Sequence, residues 1–499
     1  MGVLAIGSEA ENQRLQAVLE IAKALTSERD LDRLLNLIVG AASRVVDAER
    51  GTLFLVDPDT GELWSKVAQG LGGEIRLPRG SGIVGAVAET AQVIKLRDAY
   101  ADPRFNQDVD RSTGYRTRNL LAVPLRNTHG DVVGVLQLLN KHEGDFSEAD
   151  ADLLRALGGQ AAAAIENALL HDEITKLFEG FVQASVVAIE SRDPSTAGHS
   201  ERVSRLTLGL ADAVEHHGTS SWSGVRFAAN QRMEIRYAAL LHDFGKVGVR
   251  EAVLVKAEKL YPQQLEILRM RLEFAKKTLE VDMLRECLQR LQRGDQAGCD
   301  RLQADFQVRC AEIDRLWQVV QTCNMPTVLP SETAQQLADL AGLRYRDAAG
   351  EVQPLLAQDE IAMLSIPRGT LSATERYEIE SHVSHTFRFL SQIPWSRALR
   401  RVPDIAHRHH EKLNGRGYPL ALQASDLAIE PRMMAIADIY DALTASDRPY
   451  KRAVPHGQAC KILVDEAKAG ALDGELVALF CETDVAPRSL VQGGGARGP

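Results

Sequence analysis

A chain of 499 residues exceeds what usually forms one hydrophobic core, so two or three domains are expected. Hydrophobic content of 45% and charged content of 25% are those of a globular protein. A net charge of -10 with a pI near 5.8 excludes a general attraction for DNA, RNA or anionic membrane, so any phosphate-bearing ligand must be held by local groups.

No stretch approaches a membrane span, and the first residues turn acidic and polar too early for a signal peptide, so a cytoplasmic protein is expected. The six cysteines, Cys287, Cys299, Cys310, Cys323, Cys460 and Cys481, include no CxxC pair and read as free thiols.

From the amino terminus, residues 9–27 and 31–47 carry helical apolar stripes. Strands are expected at 52–56, 62–67, 92–95, 120–125 and 132–139, which makes residues 1–160 an α+β domain. Gly80-Ser81-Gly82-Ile83-Val84-Gly85 would start a helix over the sheet, with a loop from Asp98 to Phe105 after it. This order resembles a GAF domain, a small-molecule sensor. Asn140-Lys141, Phe146 and Asp150 partly match the cyclic-nucleotide-binding version of that family, with Ala151 where it carries Glu. The resemblance implies a cyclic nucleotide or another small ligand. A plainer account has Asn140 and Lys141 closing a strand and Phe146 packing beneath the last helix.

Residues 147–190 form a nearly continuous helical pattern, and 161–190 read as a connecting signalling helix suited to a parallel homodimer. A second domain is expected over 191–484, followed by a flexible tail at 485–499. It opens with a loop at Pro194 and a helix carrying His199. In Tyr237-Ala238-Ala239-Leu240-Leu241-His242-Asp243-Phe244-Gly245-Lys246 an apolar helix ends in a His-Asp pair, with Lys246 one turn beyond.

A charged helical segment over 261–368 follows, expected as an antiparallel hairpin turning at Gly294–Asp300, with a looser piece over 327–347. Ser372 and Glu375 then form a capping box before His382 and His385. His409-His410-Glu411 runs into a loop bearing Gly415, Gly417, Tyr418 and Pro419, and Asp438 and Asp441 lie in an apolar helix where a carboxylate must be paired or metal-bound.

HDxGK after an apolar helix, together with HHExxxGxGYP, resembles the HD-GYP domain, a family of metal-dependent phosphodiesterases that degrade cyclic di-GMP. The resemblance implies an all-α domain, here interrupted by the 261–368 insert, and the ligands His199, His242, Asp243, His382, His409, His410 and Asp438. It assigns His199, His242, Asp243 and Asp438 to one ion and His382, His409 and His410 to the other, with Asp243 bridging. Seven such groups suit two divalent ions, iron or manganese first and zinc as the alternative.

Lys246 and Asp243 are the expected catalytic residues. Gly417, Tyr418, Arg448 and Lys451 are the expected substrate contacts, since guanidinium fits phosphate. Ser195 stands where a third metal would need Glu, and Asn414 stands where most members have Asp. The implied activity is hydrolysis of cyclic di-GMP to pGpG or GMP. The alternatives are another cyclic dinucleotide, or a catalytically weak metal-bearing receptor with a protein partner at the GYP loop or the insert.

Overall fold

The computed structural model describes residues 24–25, 27–68, 75–192, 197–217, 220–347, 349–445, 453–483 and 485. The expected helix over 9–27 therefore falls almost wholly outside the described residues. The chain divides into two units, Met1–Gly180 and Phe181–Pro499.

In the first unit, helix α1 (Leu31–Val46) starts where the Asp30 carboxylate accepts from the Arg33 N–H, and ends on Asp47 in the left-handed conformation. Among the described residues six strands follow: β1 (Ala48–Val56), β2 (Leu63–Ala68), β3 (Ile75–Leu77), β4 (Ile94–Leu96), β5 (Leu120–Arg126) and β6 (Val132–Lys141). They form one antiparallel sheet in the order β3-β2-β1-β6-β5-β4.

Alternation along the strands decides the two faces. Leu53, Leu55, Leu136 and Leu138 pack with α1 and with the first part of the long helix α3 (Glu148–Arg192). Phe54, Leu120, Ala122 and Val135 face the other way, toward α2 (Gly82–Thr90). β3 is the strand that the sequence pattern does not announce.

In the second unit, α4 (His199–His217) and α5 (Ala229–Leu241) precede the insert. His216 and His217 close α4 and are exposed. The insert is more than a hairpin. Helices α6 (Pro262–Gln292) and α7 (Gln296–Asn324) turn at 293–295 rather than 294–300, because Asp295 caps α7 by accepting from the Gly298 N–H. The piece expected to be looser folds as α8 (Ser331–Leu340), a two-stranded ribbon of β7 (Arg344–Arg346) and β8 (Val352–Pro354), and α9 (Gln358–Leu364).

These elements share a core that includes Leu268, Leu272, Leu316, Val320, Leu337 and Leu364, so the second unit is predominantly rather than wholly helical. The turn also overturns the reading of six free thiols. It sets 287 and 299 opposite one another with Cα atoms 4.8 Å apart, and Cys287 and Cys299 are joined as a disulfide. Cys310, Cys323, Cys460 and Cys481 are free.

The insert leaves and rejoins the rest of the second unit at one place. Lys259, fully buried, donates to the carbonyls of Leu364 and Ile366 at 3.0 and 2.7 Å. Beside it, Lys256 and the Tyr261 hydroxyl both bond Glu375, whose other oxygen accepts from the Ser372 N–H in the expected capping box. After the insert come α10 (Ala373–Glu380), α11 (His382–Leu390), α12 (Val402–His407), α13 (Ile429–Thr444), α14 (His456–Lys468) and α15 (Gly474–Glu482). The buried α13 packs against α4 and α14.

Burial alone would raise the Glu375 carboxyl, but the bonds from Lys256, Tyr261 and Ser372 outweigh it and hold it at about 2. A folded value below the ordinary 4.5 stabilises the fold above pH 4.5, and that stabilisation disappears as pH falls toward 2. Glu375→Gln is expected to cost about 2–3 kcal/mol at neutral pH. Chemical denaturation at a series of pH values should show the gap to the parent closing below pH 4.5.

Candidate metal centre

Five segments of the second unit converge. His199 is the first residue of α4, His242 caps the end of α5, Asp243 begins the following turn, His382 opens α11, His409 and His410 follow α12, and Asp438 lies in α13. Three overlapping triads have ligand atoms within 4.8 Å of one another: His199, His242 and Asp243; His382, His409 and His410; His242, His409 and Asp438. All seven expected ligand residues are thus brought together.

The histidines are oriented by the backbone. His242, His382 and His409 each donate Nδ1–H to the carbonyl three residues earlier, on Ala239, Ile379 and Ala406, at 2.7, 2.5 and 2.6 Å. This fixes the tautomer and leaves each Nε2 as a bare lone pair. All three Nε2 atoms are buried with no hydrogen-bond partner. Unpaired buried acceptors of this kind are costly, and a divalent cation is the group that satisfies them together. The residues therefore fit a metal.

His199 is held differently, by Asp441, whose carboxylate accepts from Nδ1 at 2.7 Å and is itself bound by Arg202. His199 Nε2 lies 3.2 Å from Asp438 and 3.8 Å from Asp243. Asp243 stands between the two groups of histidines: Oδ2 is 3.5 Å from His242 Nε2, and Oδ1 is 3.3 Å from His382 Nε2. Lys246 Nζ lies 2.7 Å from Asp243 Oδ2.

Burial dominates the imidazoles. It lowers His242, takes His409 well below the usual range and pushes His410 down to about 3, so these rings are neutral and ready to donate lone pairs. In His199 burial also works downward, but the bonds to Asp438 and Asp441 outweigh it and lift the ring to about 9. A proton and a cation therefore compete for His199 Nε2. Burial would raise Asp243 and Asp438, yet Lys246 and the histidines around Asp243, and His199, His410 and His242 around Asp438, keep both carboxyls well below their ordinary range.

Close packing sets the geometry. A Cβ on Gly245 would fall on the His382 carbonyl oxygen, so only glycine lets the HDxGK turn meet α11 this closely. Thr386 locks the contact by accepting from the Gly245 N–H at 2.8 Å and donating to the His242 carbonyl at 2.9 Å.

On the other side, buried Glu411 accepts from the Leu420 and Leu422 N–H groups at 2.6 and 2.8 Å and shapes the GYP loop. The Tyr418 ring lies 4.8 Å from that of His410, and the Tyr418-Pro419 peptide is cis. Asn414 donates its amide to the Ala469 carbonyl at 3.3 Å and accepts from the Arg416 N–H, a pairing that a carboxylate could not make in full.

Thr386 carries no sequence signal. Glu411 had one, an acid directly before a loop whose N–H groups need acceptors. His385 is exposed and flanks Gly248. Arg448, Lys451 and Ser195 lie outside the described residues.

In the first unit a cavity of about 140 Å³ lies between the sheet and α2, lined by Phe54, Ile75, Ile83, Phe105, Asp110 and Gln137 among others. Phe105 belongs to the loop expected from Asp98 to Phe105. Lys141 bonds Asp150 at 2.5 Å, Asn140 holds Arg116, Arg118 and Glu49, and Phe146 is buried. The Lys141–Asp150 pair ties β6 to α3, while Asn140 ties it to β1 and to the segment before β5.

The GAF domain family matches residues 30–165 and the HD domain family residues 322–476. An amino-terminal GAF domain is followed by a metal-binding domain of the HD phosphohydrolase superfamily. The HD match includes His382, His409, His410 and Asp438 but begins after His199, His242 and Asp243, which the insert separates from the rest.

A probable 3',5'-cyclic phosphodiesterase, pde-5, of Caenorhabditis elegans is 32% identical over 226 residues, 42% of this chain and 30% of that protein. The dual 3',5'-cyclic-AMP and -GMP phosphodiesterase 11A of Takifugu rubripes is 34% identical over 175 residues, 32% of this chain and 19% of that protein. The chain spans less than a third of either relative. Among solved structures, the GAF domain of a phosphoenolpyruvate-protein phosphotransferase from Coxiella burnetii aligns with a TM-score of 0.30 at 25% identity, covering 32% of this chain and 96% of that one. Among the described residues no helix is long and apolar enough to cross a membrane.

Asp441→Asn should weaken metal binding by about 10–100-fold by loosening His199. Competition with a chelator of known affinity measures the change, and circular dichroism should show the helices unaltered.

Proposed function

We propose that this chain is a metal-dependent phosphodiesterase that hydrolyses cyclic di-GMP to pGpG, GMP or both, under control of the GAF domain. The observation that carries this reading is the convergence of three unpartnered Nε2 atoms and two carboxylates beside the Tyr418 loop. His199, His242, Asp243 and Asp438 would hold one ion and His382, His409 and His410 the other, with Asp243 shared between them. Iron or manganese suits this mixed donor set, with zinc the alternative. When bound, such a pair supplies Lewis acidity toward phosphate oxygens and a nucleophile at neutral pH.

The chain's own groups do the rest. Lys246, fixed on Asp243, places a cation at the edge of the cluster, where charge grows on the phosphate or the leaving oxygen. Tyr418 offers its ring to a base, and Gly417 lets the loop backbone pass close to Glu411. Arg448 and Lys451 remain the proposed phosphate contacts. The GAF cavity would take a cyclic nucleotide or another small ligand.

The long helix α3 would join two copies, because Leu170, Ile174, Leu177 and Phe181 recur at spacings of four, three and four and are exposed. A cytoplasmic setting agrees with a nucleotide substrate.

The test is to purify the protein anaerobically, quantify iron, manganese and zinc per chain, and separate the products formed from cyclic di-GMP. Near two ions per chain with pGpG or GMP appearing is the expected result. Asp243→Ala should lose metal and at least about 100-fold in turnover together, in line with the effects of removing groups that stabilise transition-state charge. Turnover by metal-free protein would overturn the mechanism. Two ions with bound but uncleaved dinucleotide would favour a receptor, and cleavage of a different cyclic dinucleotide would reassign the substrate.

A further inference from the structure

The first helix of the insert, α6, has two opposite faces. Leu268, Leu272 and Ala275 are buried in the insert's core. On the far side Ile267, Met270, Phe274, Val281, Leu284, Leu288 and Leu291 are 57, 66, 43, 43, 55, 60 and 44% exposed. With Lys277, these positions alternate by three and four residues without a break from 267 to 291. That is the 3.5-residue period of a coiled-coil seam, about 36 Å long at 1.5 Å per residue. Phe274 also meets the Tyr345 ring of β7 edge-on, 6.1 Å between centroids, but a stripe of this length, apolar apart from Lys277, is unusual on a surface that faces water.

In the heptad, Ile267, Phe274, Val281 and Leu288 take the a positions and Met270, Lys277, Leu284 and Leu291 the d positions. Ile and Val at a with Leu at d favour two parallel strands. Lys277, the one polar member, bonds Glu280 at 2.7 Å, so its charge is balanced within the helix.

The flanking charges choose the partner and its direction. Glu266, Glu273 and Glu280 occupy successive g positions, and Arg271, Thr278 and Arg285 the e positions five residues further on. A parallel, in-register pair sets each g residue of one copy against the e residue of the other, so Glu280 meets Arg285. An antiparallel pair would set glutamate against glutamate and arginine against arginine. Arg271 is already held by Glu360, whereas Arg285 is exposed and lies 4.0 Å from Asp282. The charge pattern is therefore complementary to itself in one orientation.

We propose that the insert is a dimerisation element, whose α6 seam pairs in parallel and in register with α6 of a second copy of this chain.

If α3 also joins two copies, oligomeric state alone would not report on the insert, so the test is local. Leu284→Cys, a d position, is oxidised mildly in the full-length protein and run without reductant, beside the parent chain as control for its own cysteines and beside Asp282→Cys, which points away from the seam. Self-cross-linking at 284 should exceed that at 282 by about tenfold, because pairing raises the local thiol concentration.

Glu280→Arg in the Leu284→Cys background should reduce the cross-link, and adding Arg285→Glu should restore it. Equal cross-linking at 284 and 282, or none above the parent at 284, would overturn the proposal. Cross-linking unmoved by the charge changes would overturn the parallel register. All the substituted positions lie on the helix surface, and circular dichroism confirms that each variant is folded.

Discussion

Three imidazole nitrogens buried without a partner are the constraint on which the second unit turns. Each costs about 1–3 kcal/mol as an unsatisfied acceptor, and each is held there by a hydrogen bond from the other side of its own ring to the carbonyl three residues earlier, at the end of the preceding helix. The rings cannot turn away to find water without breaking those bonds. The protein has been folded around a shared lone-pair centre, and the surrounding elements serve that centre. Gly245 and Thr386 press the HDxGK turn against α11 beneath it, Asp441 and Arg202 fix the His199 imidazole, and Glu411 anchors the loop at its rim.

Electrostatics and packing act in the same sense. Burial suppresses protonation of His242, His409 and His410, while Lys246 and the neighbouring rings keep Asp243 and Asp438 ionised. Neutral imidazoles and anionic carboxylates are the protonation states that a hard or borderline cation requires. The acidic surface of the chain contributes nothing to this arrangement, which is local.

Much of this was legible from residue types and spacing. HDxGK, HHExxxGxGYP and Asp438 in an apolar run brought together groups scattered over some 240 positions, and short strand-like runs located five of the six strands described in the first unit. What escaped was set by tertiary proximity. Thr386 matters because it reaches across to another helix, and no local pattern marks it. The disulfide depends on where the α6–α7 turn falls, whereas the free-thiol reading rested on the absence of a CxxC pair. The core of the insert draws on short pieces, β7, β8 and α9, whose apolar residues are too few in each segment to announce a fold singly.

The place where the insert leaves and rejoins the chain carries a further consequence. Lys259 clasps the Leu364 and Ile366 carbonyls, and Thr370 reaches the Lys256 carbonyl, so an excursion of about a hundred residues begins and ends at almost the same point in space. Loop-closure entropy rises only slowly with length once the ends are pinned. For the metal-bearing helices, the insert is therefore nearly equivalent to a short turn. Such a junction is a socket: it can accept bodies of very different size, and evolution can exchange what is plugged into it while the chemistry beneath stays in register.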